Sequence, residues 1–68
     1  MCEATVFLRD ASGEHKIMQD VVLVQPDGEV CHLSNLLGEQ KLVQGHVVKI
    51  DFLKHTVYLN QRQEPVTK

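Results

Sequence analysis

Apolar and polar residues alternate along most of the chain with a period of two, which is typical of half-buried β-strands. Cys, Ala, Val and Leu hold the even positions of residues 2–8, whereas Glu3 and Thr5 hold odd ones. Residues 21–24 are a continuous aliphatic run, which predicts a more deeply buried strand, and Val48, Ile50 and Phe52 share one face. The pattern predicts strands over 2–9, 14–18, 21–24, 29–34, 40–44, 46–52 and 56–59.

Turn-forming residues separate these segments. Gly13 follows Asp-Ala-Ser, and residues 25–29 read Gln-Pro-Asp-Gly-Glu, with proline and glycine at positions that favour a tight turn. Five to seven short antiparallel strands in so few residues favour an all-β fold, a small SH3-like barrel. We assign residues 1–60 to this single domain and residues 61–68 to a polar C-terminal tail.

The chain has 68 residues and a mass of 7.7 kDa, which is enough for one small domain. A core of this size supplies only about 3 to 5 kcal/mol and often needs a metal, a disulfide or a partner subunit, so dimerisation is one expectation from size alone. Hydrophobic residues make up 43% and charged residues 24%, but the longest aliphatic run has four residues, whereas a bilayer span needs about 18. With no secretory signal pattern at its start, we expect a cytoplasmic protein that does not enter a membrane.

Charge and aromatic content argue against nucleic acid as a partner. Seven Lys and Arg against nine Asp and Glu give a net charge of -2, and the basic residues are scattered. Phe7, Phe52 and Tyr58 are the aromatic residues; we assign the phenylalanines to the core, which leaves one ring for stacking on a base. A phosphate-binding glycine loop, a nucleophile elbow and a helical histidine pair are also missing, so we do not expect an enzyme.

Cys2 is the residue with the clearest chemistry, because it follows the initiator methionine. Removal of Met1 would place a free amine beside the thiol, with reference pKa values of about 8 and about 8.5, so a divalent metal can displace both protons near neutral pH. With Met1 retained, the Cys2 amide nitrogen can replace the amine. Either nitrogen gives an N,S donor set suited to planar Ni(II) or Cu(II).

Packing is the competing interpretation of Cys2, since its parity groups it with Ala4 and Val6 and free cysteine is often a buried apolar filler. We likewise assign Cys31 to packing. Cys31 and His32 are adjacent on a strand and leave opposite faces. The other histidines adjoin turns and are expected to be solvated: His15, His46 and His55.

Several segments together resemble the CooT family. They are the Met-Cys-Glu-Ala-Thr-Val start, a Gly-containing first turn, Asp-Val-Val-Leu-Val at 20–24, the turn at Gly28, Leu-Leu-Gly-Glu at 36–39, Gly45, Ile-Asp-Phe-Leu at 50–53 and Val-Tyr-Leu at 57–59. The resemblance implies a small homodimeric nickel-binding accessory protein of carbon monoxide dehydrogenase maturation, with Cys2 as the nickel ligand. The same family has been catalogued as predicted RNA-binding proteins.

The ligand count agrees with a dimer. One Cys2 offers two donors, whereas a planar metal takes four, so two subunits related by a two-fold axis would complete the site. We therefore predict a nickel-binding metallochaperone that holds Ni(II), with Cu(II) or Co(II) as alternatives, between the Cys2 residues of two subunits. The other hypotheses are an RNA-binding module and a metal-free protein-interaction domain.

Overall fold

The computed structural model describes residues 3–61, and this part of the chain contains six β-strands and no helix. The strands are β1 (Ala4–Asp10), β2 (Gly13–Asp27), β3 (Val30–Asn35), β4 (Gln40–Gln44), β5 (His46–Asp51) and β6 (Thr56–Asn60). They form one sheet in the order β4-β3-β2-β1-β6-β5. The all-β prediction is confirmed. Of the predicted tail, residues 62–68 lie outside the described residues.

The sheet is bent but not closed. A flat sheet of six strands would be roughly 24 Å wide, yet its two edge strands, β4 and β5, are joined by Gly45 alone. One residue spans at most ~7 Å between its neighbours, so the sheet must curl until the ends of β4 and β5 meet. This curl gives the SH3-like shape, although the described strands form an open sheet and the predicted closure of the barrel is not seen.

One strand pair corrects the antiparallel prediction. β1 and β6 run parallel, with Val6 opposite Val57 and Leu8 opposite Leu59. Parallel neighbours cannot be joined by a tight turn, and here 45 residues of intervening chain, 11–55, connect the two strands. The other four strand pairs are antiparallel, as expected.

The strands predicted over 14–18 and 21–24 are a single strand, β2, which bends instead of breaking. Asp20 has a φ of 57°, and the pairing register of β2 shifts on either side of it. Pairing with β1 extends only to Val21, after which β2 pairs with β3 alone. That free edge explains why Pro26, which has no N–H to donate, is tolerated in a strand where we predicted a turn.

A small core occupies the inner face of the curl. Its buried members come from β1, β2, β3 and β6, namely Val6, Val21, Cys31, Leu33, Val57 and Leu59. Ala4, Leu8, Met18 and Val47 are among the partly buried residues around it. Six buried apolar side chains are a modest core, as expected for so short a chain.

Two predictions about buried residues are wrong, one for the run 21–24 and one for the phenylalanines. Val21 is buried, but Val22 and Leu23 are exposed because β2 has lost its β1 neighbour there. Phe52 is exposed because it lies beyond the edge strand β5, whose Val48 and Ile50 are exposed too. Phe7 is half-buried on the outer face of the sheet, so neither phenylalanine belongs to the core. Within residues 3–61 there is no helix of the length and apolarity needed to cross a membrane.

Candidate functional site

Cys2, the residue predicted to bind metal, lies outside the described residues. The first residues that the structure describes, Glu3 and Ala4, line an apolar groove of about 320 Å³. Strand β1 is fixed there by the Thr5 amide, which donates a hydrogen bond of 2.9 Å to the carbonyl of His55. The described part of the chain therefore begins in the wall of this groove.

The apolar groove is built from three parts of the sheet. The part of β2 that extends past β1 contributes residues 21–24, β5 and the following turn contribute Ile50 and Phe52, and His55 and Val57 complete the wall with Glu3 and Ala4. Sequence reasoning placed most of these aliphatic residues in the core. The signal that distinguishes them is the strand order, because residues on a strand that lacks a neighbour on one side lose cover on that side.

Cys31 is unsuited to binding a metal where it stands. Its side chain is fully buried in β3, and its thiol donates a long hydrogen bond of 3.6 Å to the carbonyl of Gly45. Burial raises the pKa of the Cys31 thiol, which disfavours the thiolate that a metal requires. The assignment of Cys31 to packing is confirmed.

The histidines are exposed, as predicted. His15 contacts Ser12 at 3.0 Å and Asp10 at 3.3 Å in the first hairpin, and hydrogen bonds from Ser12, with a smaller contribution from His15, lower the pKa of Asp10. His32 lies 3.8 Å from Asp27. Among residues 3–61 no group of three or more His, Cys, Asp or Glu side chains is placed to hold a metal ion.

The comparisons with known proteins add an identification. The family model described as "CO dehydrogenase accessory protein CooT" matches residues 1–60. This chain belongs to the CooT family. A crystal structure of a CooT candidate from Carboxydothermus hydrogenoformans superposes with a TM-score of 0.81 at 22% sequence identity, covering 91% of this chain and all of that one. At that identity the superposition shows a shared fold. The comparison with curated proteins finds no match.

Membership of the CooT family confirms the resemblance and supports an accessory role linked to carbon monoxide dehydrogenase. The family is described as an accessory protein and not by a catalysed reaction.

Proposed function

We propose that this CooT protein is a nickel-binding accessory protein in which Cys2 of each of two subunits holds one Ni(II) at a homodimer interface. Its client is the carbon monoxide dehydrogenase that the family description names. The observation that carries the proposal is the apolar groove, whose wall begins at Glu3, the residue to which Cys2 is bonded.

The donors favour Cys2 over any described residue. Cys31 is the only other cysteine, and its buried thiol has a raised pKa. Cys2 offers one thiolate and one nitrogen, so a planar Ni(II) site with four donors needs two copies of the residue. Because both donors lose a proton on binding, nickel affinity should rise with pH until both are deprotonated.

The groove supplies a reason for the two copies to meet. The exposed fractions are 48% for Val22, 47% for Leu23, 51% for Ile50 and 81% for Phe52. Together they amount to about 2.3 fully exposed side chains, and burying those in both subunits would stabilise a dimer by about 7 to 14 kcal/mol. Association costs about 4 to 15 kcal/mol, so burial of this face offsets a cost of the same size, and bound metal would add to the stability of the dimer.

Native mass spectrometry with and without Ni(II) tests the proposal, because one spectrum reports subunit number, metal ions per dimer and retention of Met1. We expect one nickel per dimer, together with thiolate-to-nickel charge transfer in the near ultraviolet. Cys2→Ser should lose both signals, and Cys31→Ser, the matched control, should keep them. Nickel uptake that survives in Cys2→Ser would contradict the proposed ligand.

A further inference from the structure

The outward edge of β4 carries backbone groups that no other described strand pairs with. β4 lies at one end of the sheet and pairs with β3 alone. At its two ends the Asn35 amide donates to the Glu39 carbonyl and the Gly45 amide donates to the Glu29 carbonyl, both at 3.0 Å. Hydrogen-bonded and non-hydrogen-bonded pairs alternate in an antiparallel ladder, so the odd-numbered residues of β4 bond to β3. The N–H and C=O groups of the even-numbered residues therefore point away from the sheet, namely those of Gln40, Leu42 and Gln44.

β4 lacks the features that protect the other edge of the sheet. The opposite edge strand, β5, has an irregular pairing register between Val47 and Lys49, and it carries the charges of Lys49 and Asp51. Irregularities and charges of this kind hinder the addition of a further strand. β4 pairs with β3 without a register shift, contains no proline and carries one charge, that of Lys41. A regular edge of five residues is thus open to an extended chain.

The side chains beside this edge offer an apolar contact and a positive charge. Leu42, His32 and Gln25 are opposite one another across β4, β3 and β2, on the face away from the core. They line a hollow of about 410 Å³, and Leu42 is 61% exposed. Lys41 is also exposed and projects from the other face of β4, because neighbouring residues of a strand alternate between faces. An added strand would therefore meet Leu42 on one face and Lys41 on the other.

The charge favours an acidic strand over a second copy of this chain. Two copies paired antiparallel about Leu42 would place their Lys41 residues at diagonal positions on one face, where like charges repel each other. An acidic residue opposite Lys41 is favourable instead, because opposite charges across a strand pair attract. The neighbouring residue of that strand would lie opposite Leu42, where an apolar side chain can enter the hollow. The edge therefore fits an extended segment in which an acidic residue adjoins an apolar one.

We propose that the free edge of β4 binds an extended acidic segment of the client enzyme by strand addition, through backbone hydrogen bonds to Gln40, Leu42 and Gln44. In this mode of recognition the main chain supplies affinity, and the alternate side chains supply specificity. The identity of the client rests on the proposed function. The edge itself is independent of the nickel site, because no residue of β4 lines the apolar groove.

An NMR titration of the full isotope-labelled chain with the peptide acetyl-Thr-Val-Glu-Val-Thr-Val-amide tests the edge, and the same peptide with Lys in place of Glu is the charge control. In the free protein we expect the outward amides of Leu42 and Gln44 to exchange with solvent faster than the amides that bond to β3. The Glu peptide should shift the resonances of β4 and slow the exchange of the outward amides. It should bind about 2- to 30-fold more tightly than the Lys peptide.

Leu42→Pro removes one outward N–H donor but none of the hydrogen bonds to β3, so it should weaken binding of the Glu peptide about 10-fold or more. Leu42→Val, which keeps the N–H and an apolar side chain, is the matched control and should bind like the wild type. Lys41→Glu should reverse the preference between the two peptides. Far-ultraviolet circular dichroism checks folding, and Gln40→Pro, at the first residue of β4, repeats the test should Leu42→Pro fail to fold.

Carbon monoxide dehydrogenase apoenzyme, the client that the family description names, is the second probe. It should bind the wild type and Cys2→Ser equally and Leu42→Pro about 10-fold more weakly, whereas Leu42→Pro should keep the nickel signals of the wild type. Failure of this proposal is thereby distinguished from failure of the nickel site. No binding of the Glu peptide or the apoenzyme, binding that Leu42→Pro leaves unchanged, or self-association that Leu42→Pro abolishes would overturn the proposal.

Discussion

Phe52→Ser is the sharpest test of the apolar groove as a dimer interface. Phe52 leaves 81% of its side-chain and backbone surface exposed and lines the groove. Full burial of such a side chain stabilises by about 1.5 to 3 kcal/mol, so the exposed part contributes about 1.2 to 2.4 kcal/mol per subunit. A symmetric dimer buries Phe52 twice, and the substitution should raise the dimer dissociation constant about 60- to 4,000-fold.

Analytical ultracentrifugation over a range of protein concentrations measures this change. Leu53→Ser is the matched control, because Leu53 follows Phe52 in the same turn and is 94% exposed but does not line the groove. We expect Leu53→Ser to dimerise like the wild type. Equal weakening by the two substitutions, or no weakening by Phe52→Ser, would show that the groove is not the interface and would remove the structural support for a nickel site shared by two subunits.

Three further predictions concern the fold. Asn35→Ala should lower the free energy of unfolding, measured by urea titration, by about 2 to 4 kcal/mol. The reason is that the Asn35 side chain makes three hydrogen bonds of 2.7 to 3.1 Å to residues 37 and 39. A loss of less than about 1 kcal/mol would contradict this prediction. Gly45→Ala should lower the free energy of unfolding by about 2 to 5 kcal/mol, because the added Cβ would lie 2.8 Å from the Asn60 carbonyl oxygen. Gly28→Ala should lower the free energy of unfolding by only about 1 kcal/mol, because the added Cβ would meet open space and only the positive φ is unfavourable. Because burial raises the pKa of the Cys31 thiol in the folded state, the neutral thiol contributes fully to stability below about pH 8.5, and this contribution is lost as the pH rises further. The free energy of unfolding, measured by urea titration from pH 7 to 10, should therefore decline at alkaline pH, and Cys31→Ala should remove this decline.

The sequence predicted strands better than it predicted their neighbours. The first hairpin, the segments at 40–44 and 56–59 and the burial of Cys31 could be inferred because alternation and turn residues are local signals. The parallel pairing of β1 with β6 depends on residues about 50 positions apart, and no local pattern records it. Strand order also decides which apolar residues are covered, which is why Val22 and Phe52 were misplaced.

The candidate sites also differ in whether the sequence alone could predict them. Cys2 could be proposed from its position and donor atoms alone, because a chelating residue is recognisable by its chemistry. The apolar groove and the free edge of β4 required the fold, since each depends on the order in which the strands pair. Phe7 shows the difficulty most clearly: it interrupts the polar parity of β1, and only its pairing with Tyr58 reveals a reason for a ring at that position.

The single-residue link between β4 and β5 also bears on aggregation. Exposed strand edges can recruit strands from other chains, and a sheet that lies flat offers two long edges for this growth. Gly45 brings the two edges together at one corner, where its amide donates to the carbonyl of Glu29. At that corner β4 and β5 end one residue apart, so this short connection leaves less free edge there for a strand from another chain.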